Sequence, residues 1–455
     1  MPSLPRSFAL ATTTLLATLA IAPVAGASGV RAPDGLKATP DRTSSAHRAL
    51  PTHGVKARAA QVAATDPRAA EQWPLDGDAP MGIASAWRQT TGGGVTVAIL
   101  DSGIDLGHPD LAPNLWTNPG EIPGNGVDDD GNGYVDDVHG IDFVDNDGAP
   151  QDANGHGTHV AGIVGARGGN GVGGAGVAWD VRLMAVRVLD ANAQGTTTNV
   201  ARGIRYAVDN GARIVNLSLA GPTPTPDLEA AVQYASSRGV LIVVAAGNDG
   251  ADLASAPTFP AAYGEANVIG VAATTRAGGL SSVSDYGPGA DIAAPGEEIL
   301  STALGGGYEW RTGTSMAAPE VTGALALLAA KRPDLDGPGL ENALLAGTRR
   351  TGLPVATGAL DVGAALRGVI APSAWVDAPA AALSSYTSTT PKVAVKKVSA
   401  KKKKAAKKAT KKQPAKKAKK KQLTKKQAAA AKKAKARKAA AKRRAAAKKH
   451  AAKRH

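Results

Sequence analysis

Short runs of aliphatic and β-branched residues alternate with longer amphipathic stretches between residues 95 and 273. The segments VTVAIL (95–100), VRLMAVRV (181–188), ARIVNLSL (212–219), GVLIVVAA (239–246) and NVIGVAA (267–273) are nearly all apolar rather than alternating. That is the pattern of strands covered by helices on both faces. Between them, residues 199–209 and 227–237 repeat apolar positions at helical spacing, and each is followed by a glycine, Gly211 and Gly239, as a helix C-terminus prefers. Strand, helix, strand repeats of this kind predict an α/β fold with a doubly wound, mostly parallel sheet.

In such sheets ligands bind at the carboxyl ends of the strands. Asp101 follows the first apolar run in AILDSGID, and two more reactive side chains occupy comparable settings: His156 in NGHGTHVAG and Ser315 in GTSMAAP. Helices are expected to begin close to both, which would turn their N-terminal N–H groups toward a reacting centre. A serine hydroxyl is a weak nucleophile at neutral pH. A neutral imidazole must take its proton during attack on a carbonyl, and a carboxylate must hold the imidazole in the right tautomer. Taken singly, each residue has a plainer reading: Asp101 as a turn cap, His156 and Ser315 as first-turn helix residues. Taken together, in the order Asp, His, Ser, they form a catalytic set.

These three segments resemble the subtilisin-like serine proteases, or subtilases, over residues 72–366. The resemblance implies that His156 is the base and that His159, three residues later, is structural. It implies an oxyanion hole made by the Ser315 amide and the Asn248 side chain in VVAAGND, although a left-handed turn after Gly247 would also suit that asparagine. It further implies that an extended peptide pairs with Ser218, Leu219, Ala220 and Gly221, with Gln194 and Gly195 as the facing edge, and that Ala245, Ala246 and Gly247 form a wall of the primary pocket. Ordinary loop glycines remain the alternative there. Thr258 stands where a smaller residue is common at the pocket base. Glu320 replaces the histidine that usually follows GTSMAAP, and it is expected on a different helix face from Ser315.

The insertion between Asp101 and His156 reads NGVDDDGNGYVDDVHGIDFVDND. Asp128, Asp130, Asn132, the Tyr134 carbonyl and Asp136 follow positions 1, 3, 5, 7 and 9 of a calcium loop, with Gly133 at the turn. His139 stands at the twelfth place instead of glutamate. Dense carboxylates repel unless a hard cation neutralises them, so structural calcium is expected; a metal-free acidic loop is the alternative. No organic cofactor is implied.

Charge is divided unequally along the 455 residues, which include no cysteine and therefore no disulfide. Residues 392–455 hold 30 lysines and arginines and no acid, leaving 23 basic against 38 acidic groups in the rest. Such a tail, with almost nothing to bury, is expected to be disordered and to bind polyanions such as cell-wall polymers or nucleic acid. The chain opens with an early arginine, an apolar run over residues 8–22 and small residues before Ser28, the pattern of a secretory signal. The expected organisation is a signal peptide (1–27), a short propeptide (28–70), a peptidase domain (71–368), a linker (369–391) and the basic tail (392–455). No further membrane span is expected. The sequence thus predicts a secreted, monomeric serine endopeptidase acting on polypeptides, with retention at the cell surface through the basic tail as a further expectation; a catalytically silent polyanion-binding protein is the rival.

Overall fold

The computed structural model describes residues 65–77 and 80–368. The expected signal peptide, residues 28–64 of the propeptide, the linker and the basic tail lie outside the described residues. Ten strands and seven α-helices follow one another in this part of the chain. The strands are β1 (Thr96–Asp101), β2 (Gly140–Asp142), β3 (Arg182–Arg187), β4 (Ile214–Leu217), β5 (Leu241–Ala245), β6 (Val268–Thr274), β7 (Ile292–Pro295), β8 (Ile299–Ala303), β9 (Gly307–Arg311) and β10 (Gly358–Ala359). The helices are α1 (Ile83–Trp87), α2 (His156–Gly165), α3 (Thr197–Asp209), α4 (Pro226–Ser237), α5 (Thr314–Lys331), α6 (Gly337–Ala346) and α7 (Val362–Gly368).

Eight strands form one sheet in the order β10-β7-β6-β5-β4-β1-β3-β2, and every pairing in it is parallel. β8 and β9 make a separate antiparallel hairpin. The five apolar runs became β1, β3, β4, β5 and β6, each trimmed or shifted by one or two residues. Alternation along β1 explains why the runs had to be apolar throughout. Val97 and Ile99 face one core with α2 and α5, while Ala98 and Leu100 face a second core with α3 and α4. The chain leaves β1 toward β3 on one side and returns to β4 on the other, so the winding reverses at β1. That reversal opens a crevice at the carboxyl ends of the central strands.

Segment 65–77 is built into this body. The Asp66 carboxylate accepts the N–H groups of Gly169 and Gly171, and the Gln72 amide exchanges hydrogen bonds with the backbone of Ala175. The Trp73 indole N–H donates to the carbonyls of Glu297 and Glu298. The propeptide boundary expected at residue 70 therefore falls inside an anchored stretch.

Glu320 lies in the interior of α5, 2% exposed, beside a small cavity lined by Gln72, Leu75, Ile163 and Leu300. Its Oε2 has no hydrogen-bond partner, and burial alone pushes its carboxyl well above the ordinary glutamate range. Glu341 on α6 is pushed up to about 7, by burial first and then by the charge of Asp291. At acid pH the Glu320 carboxyl is neutral in both folded and unfolded chains. As pH rises past the ordinary value of 4.5, the unfolded chain releases its proton and the folded one does not, so stability falls. Glu320→Gln, which has no proton to lose, is accordingly expected to raise the melting temperature at pH 8 and to give no gain at pH 4. Equal gains at both pH values in thermal melts would contradict this.

Candidate active site

β5, β4, β1 and β3 are neighbours, and the groups singled out by sequence gather where these four strands end. Asp101 is the last residue of β1 and His156 the first of α2; both side chains are buried. His156 Nδ1 lies 2.7 Å from Asp101 Oδ1, which also accepts the Ser102 N–H. With its proton held on Nδ1 by the carboxylate, the imidazole carries its lone pair on Nε2. Asp152 pins strand to helix: its carboxylate accepts the Ser102 hydroxyl, the Gly155 N–H, and both the N–H and hydroxyl of Thr158. The first turn of α2 also has to sit directly on β1. A Cβ at Gly157 would come within 2.2 Å of the Gly103 carbonyl and 3.0 Å of Asp101 Cβ, so only glycine admits this approach.

Ser315 is in the first turn of α5 and is 4% exposed. Pro319, four residues on, has no N–H to give the Ser315 carbonyl, and the hydroxyl of Ser218 fills that place at 2.8 Å. In return, the Ser315 hydroxyl donates to the Ser218 carbonyl at 3.0 Å. Asn248 follows β5. Its Oδ1 accepts the N–H of Thr314 at 2.7 Å and the Thr314 hydroxyl at 3.0 Å, so the Nδ2 end is the one left to donate at the head of α5. Gly247 must be glycine: its φ is +124°, and a Cβ would lie 2.1 Å from Asp285 Oδ2.

In the expected peptide-pairing stretch, Gly221 exchanges both backbone hydrogen bonds with Phe259, and the Ser218 carbonyl accepts the Ser315 hydroxyl. Ala245 ends β5, Ala246 accepts the Thr258 hydroxyl at 2.8 Å, and Gly195 sits in a tight turn bridged to Leu189 just after β3. His159 points elsewhere. Its Nε2 meets the Glu309 carbonyl, and burial, then the charge of Arg311, hold its pKa well below the ordinary histidine range, which keeps it neutral.

In the acidic insertion the spacing-derived set is only partly brought together. Ligand atoms of Asp128, Asp130 and Glu121 lie within 4.8 Å of one another. Asp128 Oδ1 is buried with no hydrogen-bond partner, an uncompensated acceptor that suits a hard cation. Asn132 donates to Asp130 and Asp137, and the Tyr134 ring packs on Phe143 and Tyr206. Asp136 turns away at φ +54°, its carboxylate accepting the N–H groups of Asn125 and Gly126. Glu121 escaped the sequence reading because it precedes the DxDxNG spacing by seven residues. Its carboxylate reaches back to the N–H groups of Asp129 and Asp136.

Residues 92–358 match the model of the subtilase family. The chain is 44% identical over 248 residues to the thermophilic serine proteinase of Bacillus sp. (strain AK1), covering 54% of this chain and 55% of that one. It is 44% identical over 246 residues to thermitase of Thermoactinomyces vulgaris, 54% of this chain and 78% of the relative. With subtilisin Savinase of Lederbergia lenta it shares 42% over 257 residues, 56% and 84% of the two chains. A solved protease from Pseudoalteromonas arctica superposes with a TM-score of 0.57 at 32% identity, covering 67% of this chain and 98% of that one. A fully parallel sheet with the acid, imidazole and alcohol at its carboxyl ends defines a subtilisin-type serine endopeptidase domain. The chain belongs to the subtilase family.

Proposed function

We propose that the chain is a secreted serine endopeptidase that cleaves polypeptides through an acyl-enzyme. The observation that carries this reading is the buried 2.7 Å contact between His156 Nδ1 and Asp101 Oδ1, at the strand ends where Ser315 is held by Ser218. A peptide lying along the backbone of Ser218 and Ala220 would present its carbonyl to Ser315. The Ser315 hydroxyl then leaves the Ser218 carbonyl, gives its proton to His156 Nε2 and attacks, while Asp101 stabilises the imidazolium. The Ser315 N–H and Asn248 Nδ2 hold the oxyanion. His156 returns the proton to the leaving amine, and water then repeats the sequence on the acyl-enzyme. Secretion is supported by the leader pattern of residues 1–27. The anchoring of Asp66 supports a maturation cut upstream of that residue rather than at 70.

Ser315→Ala is expected to abolish hydrolysis of casein. Asn248→Ala should lower kcat by about 100- to 1,000-fold with little change in KM, a range borrowed within the family because subtilisin itself supplied it. Wild-type protein as inert as Ser315→Ala would favour the polyanion-binding reading instead.

Calcium is assigned to the insertion. Glu121, Asp128 and Asp130 would supply its first oxygens, Asn132 and the Tyr134 carbonyl could add to them, and Asp136 would have to turn from the amides it now holds. Neutralising these carboxylates is the chemistry a divalent cation would supply there. Chelation is expected to lower the melting temperature, by the equivalent of about 2.7 kcal/mol if the ion was present at a hundredfold its Kd, while leaving the rate of Ser315 sulfonylation per folded site unchanged. Melting that is indifferent to chelator, in wild type and Glu121→Gln alike, would remove the assignment.

The basic tail is assigned to polyanion binding that retains the enzyme at the cell surface. Each neutralised phosphate or carboxylate releases a counterion, so attachment should weaken steeply with salt. Washing secreting cells with strong salt should release full-length enzyme. Its presence in the medium at low salt before any wash would refute retention.

A further inference from the structure

We propose that Asn216 and Thr322 are positioning residues for Ser315, acting through the hydroxyl of Ser218. This rests on Ser315 being the nucleophile. The two residues match the spacings of their elements. Asn216 and Ser218 are two apart at the end of β4 and share a face, and Ser315 and Thr322 are seven apart on α5 and share another. Across the β4–α5 contact these four side chains form a continuous buried path. The Thr322 hydroxyl lies 2.8 Å from Asn216 Oδ1, Asn216 Nδ2 donates to Ser218 Oγ at 2.9 Å, and Ser218 Oγ donates to the Ser315 carbonyl at 2.8 Å. Asn216 and Thr322 are fully buried and Ser218 is 3% exposed, so no solvent competes with the path.

The path has one direction. The Ser315 carbonyl can only accept, so the single hydroxyl proton of Ser218 must go to it, and Ser218 must in turn receive a proton from a donor. Asn216 Nδ2 is that donor, and the Thr322 hydroxyl, which lies 2.8 Å from Asn216 Oδ1 and 3.1 Å from the Ala318 carbonyl, makes the shorter contact to Oδ1 and so sets which way the amide faces. The consequence falls on Ser315. Pro319 has removed the i+4 helical partner of its carbonyl, so the Ser218 hydroxyl holds the plane of the peptide after Ser315, while the Thr314 N–H before it is held by Asn248. Those two constraints set the direction of the Ser315 Cα–Cβ bond and therefore where Oγ can point. Thr322, two turns away from the chemistry, thus acts on the reaction without touching substrate.

Asn216→Asp tests the polarity with almost no change of shape. Measured at alkaline pH, where the introduced carboxyl is ionised, that group only accepts, so the Ser218 proton would turn to it and leave the Ser315 carbonyl without a donor. Thr322→Val removes the far end of the path, and Thr322→Ser restores it. The measurement is the rate of inactivation by phenylmethylsulfonyl fluoride, a small reagent that does not need the peptide-pairing edge, with intact mass counting labelled sites. We expect one label per chain in every folded variant. The rate per site should fall about 10- to 100-fold in Asn216→Asp, the effect of misplacing a reacting atom by about 1 Å. It should fall by a smaller factor in Thr322→Val, at every pH alike, and return to the wild-type rate in Thr322→Ser. The proposal is overturned if folded Thr322→Val and Asn216→Asp react at the wild-type rate, or if only their melting temperatures fall. Should Asn216→Asp not fold, the valine and serine pair at position 322 decides alone. Failure of wild type to label at all, with Ser315→Ala behaving identically, overturns the nucleophile and this proposal together.

Discussion

The carbonyl of Ser315 is the constraint on which the site turns. A proline five positions into a helix ordinarily weakens it, because one N–H is lost and the carbonyl a turn earlier is left without a partner. Here that vacancy is what lets a helix and a strand end be joined by side chain. Ser218 occupies it, and the same residue receives the Ser315 hydroxyl on its own carbonyl. Two hydrogen bonds in opposite senses between one pair of residues fix both position and orientation, which a single contact could not do. The buried location makes the arrangement obligatory, since a buried carbonyl without a donor costs about 1–3 kcal/mol.

Parallel winding supplies the rest. Because every strand of the main sheet runs the same way, residues that follow β1, β3, β4 and β5 all emerge on one edge, although they are separated by more than a hundred positions in sequence. Asp101 is fixed by β1 and His156 by the helix that packs over it. The contact between them depends on Gly157, whose missing side chain allows the two elements to close. Asn248 is delivered by β5 and oriented by Thr314, the residue just before Ser315. Each reactive group is thereby aimed by a neighbour of another reactive group, so disturbing one element disturbs the aim of the next.

The five long apolar runs were legible because a strand buried on both faces has no polar positions to blur it, and the proposed catalytic segments stood out because their chemistry requires particular side chains in particular surroundings. β2, β7 and β10 were not. They have three, four and two residues, too short for any periodicity to register, and the sheet pairing that defines them comes from distant segments. The β8–β9 hairpin was hidden for another reason: its second strand, GYEWR, is half-buried and mixed in character. In the acidic insertion, spacing correctly drew Asp128 and Asp130 together but could not distinguish Asp136, whose left-handed backbone turns it toward two amides, from Glu121, which loops back from outside the motif. Asn216 is a polar residue inside the run ARIVNLSL. Its value lies in a partner on another element, and no local pattern carries that information.

The insertion is tied to the scaffold by apolar packing of Ile141, Phe143 and Tyr134 against the α3 side of the core and by polar contacts. Tyr206, on α3, donates its hydroxyl to Asp137, and burial, then that carboxylate, raise its pKa far above the ordinary tyrosine value, so it remains a donor at every physiological pH. Asp137 also receives Asn118 and Asn132, and Asn118 donates in addition to Asp130. Repulsion among the insertion's carboxylates is therefore transmitted to α3, which covers β1 and β3 on the face opposite α2. A chain without cysteine cannot restrain such a loop by a disulfide. Charge neutralisation at Glu121, Asp128 and Asp130 would act at the outer end of this network and so only indirectly on β1, while the Asp101–His156 contact is set from the other face by Asp152 and α2. With a cation bound there, stability and chemistry would be governed from opposite sides of the same strand.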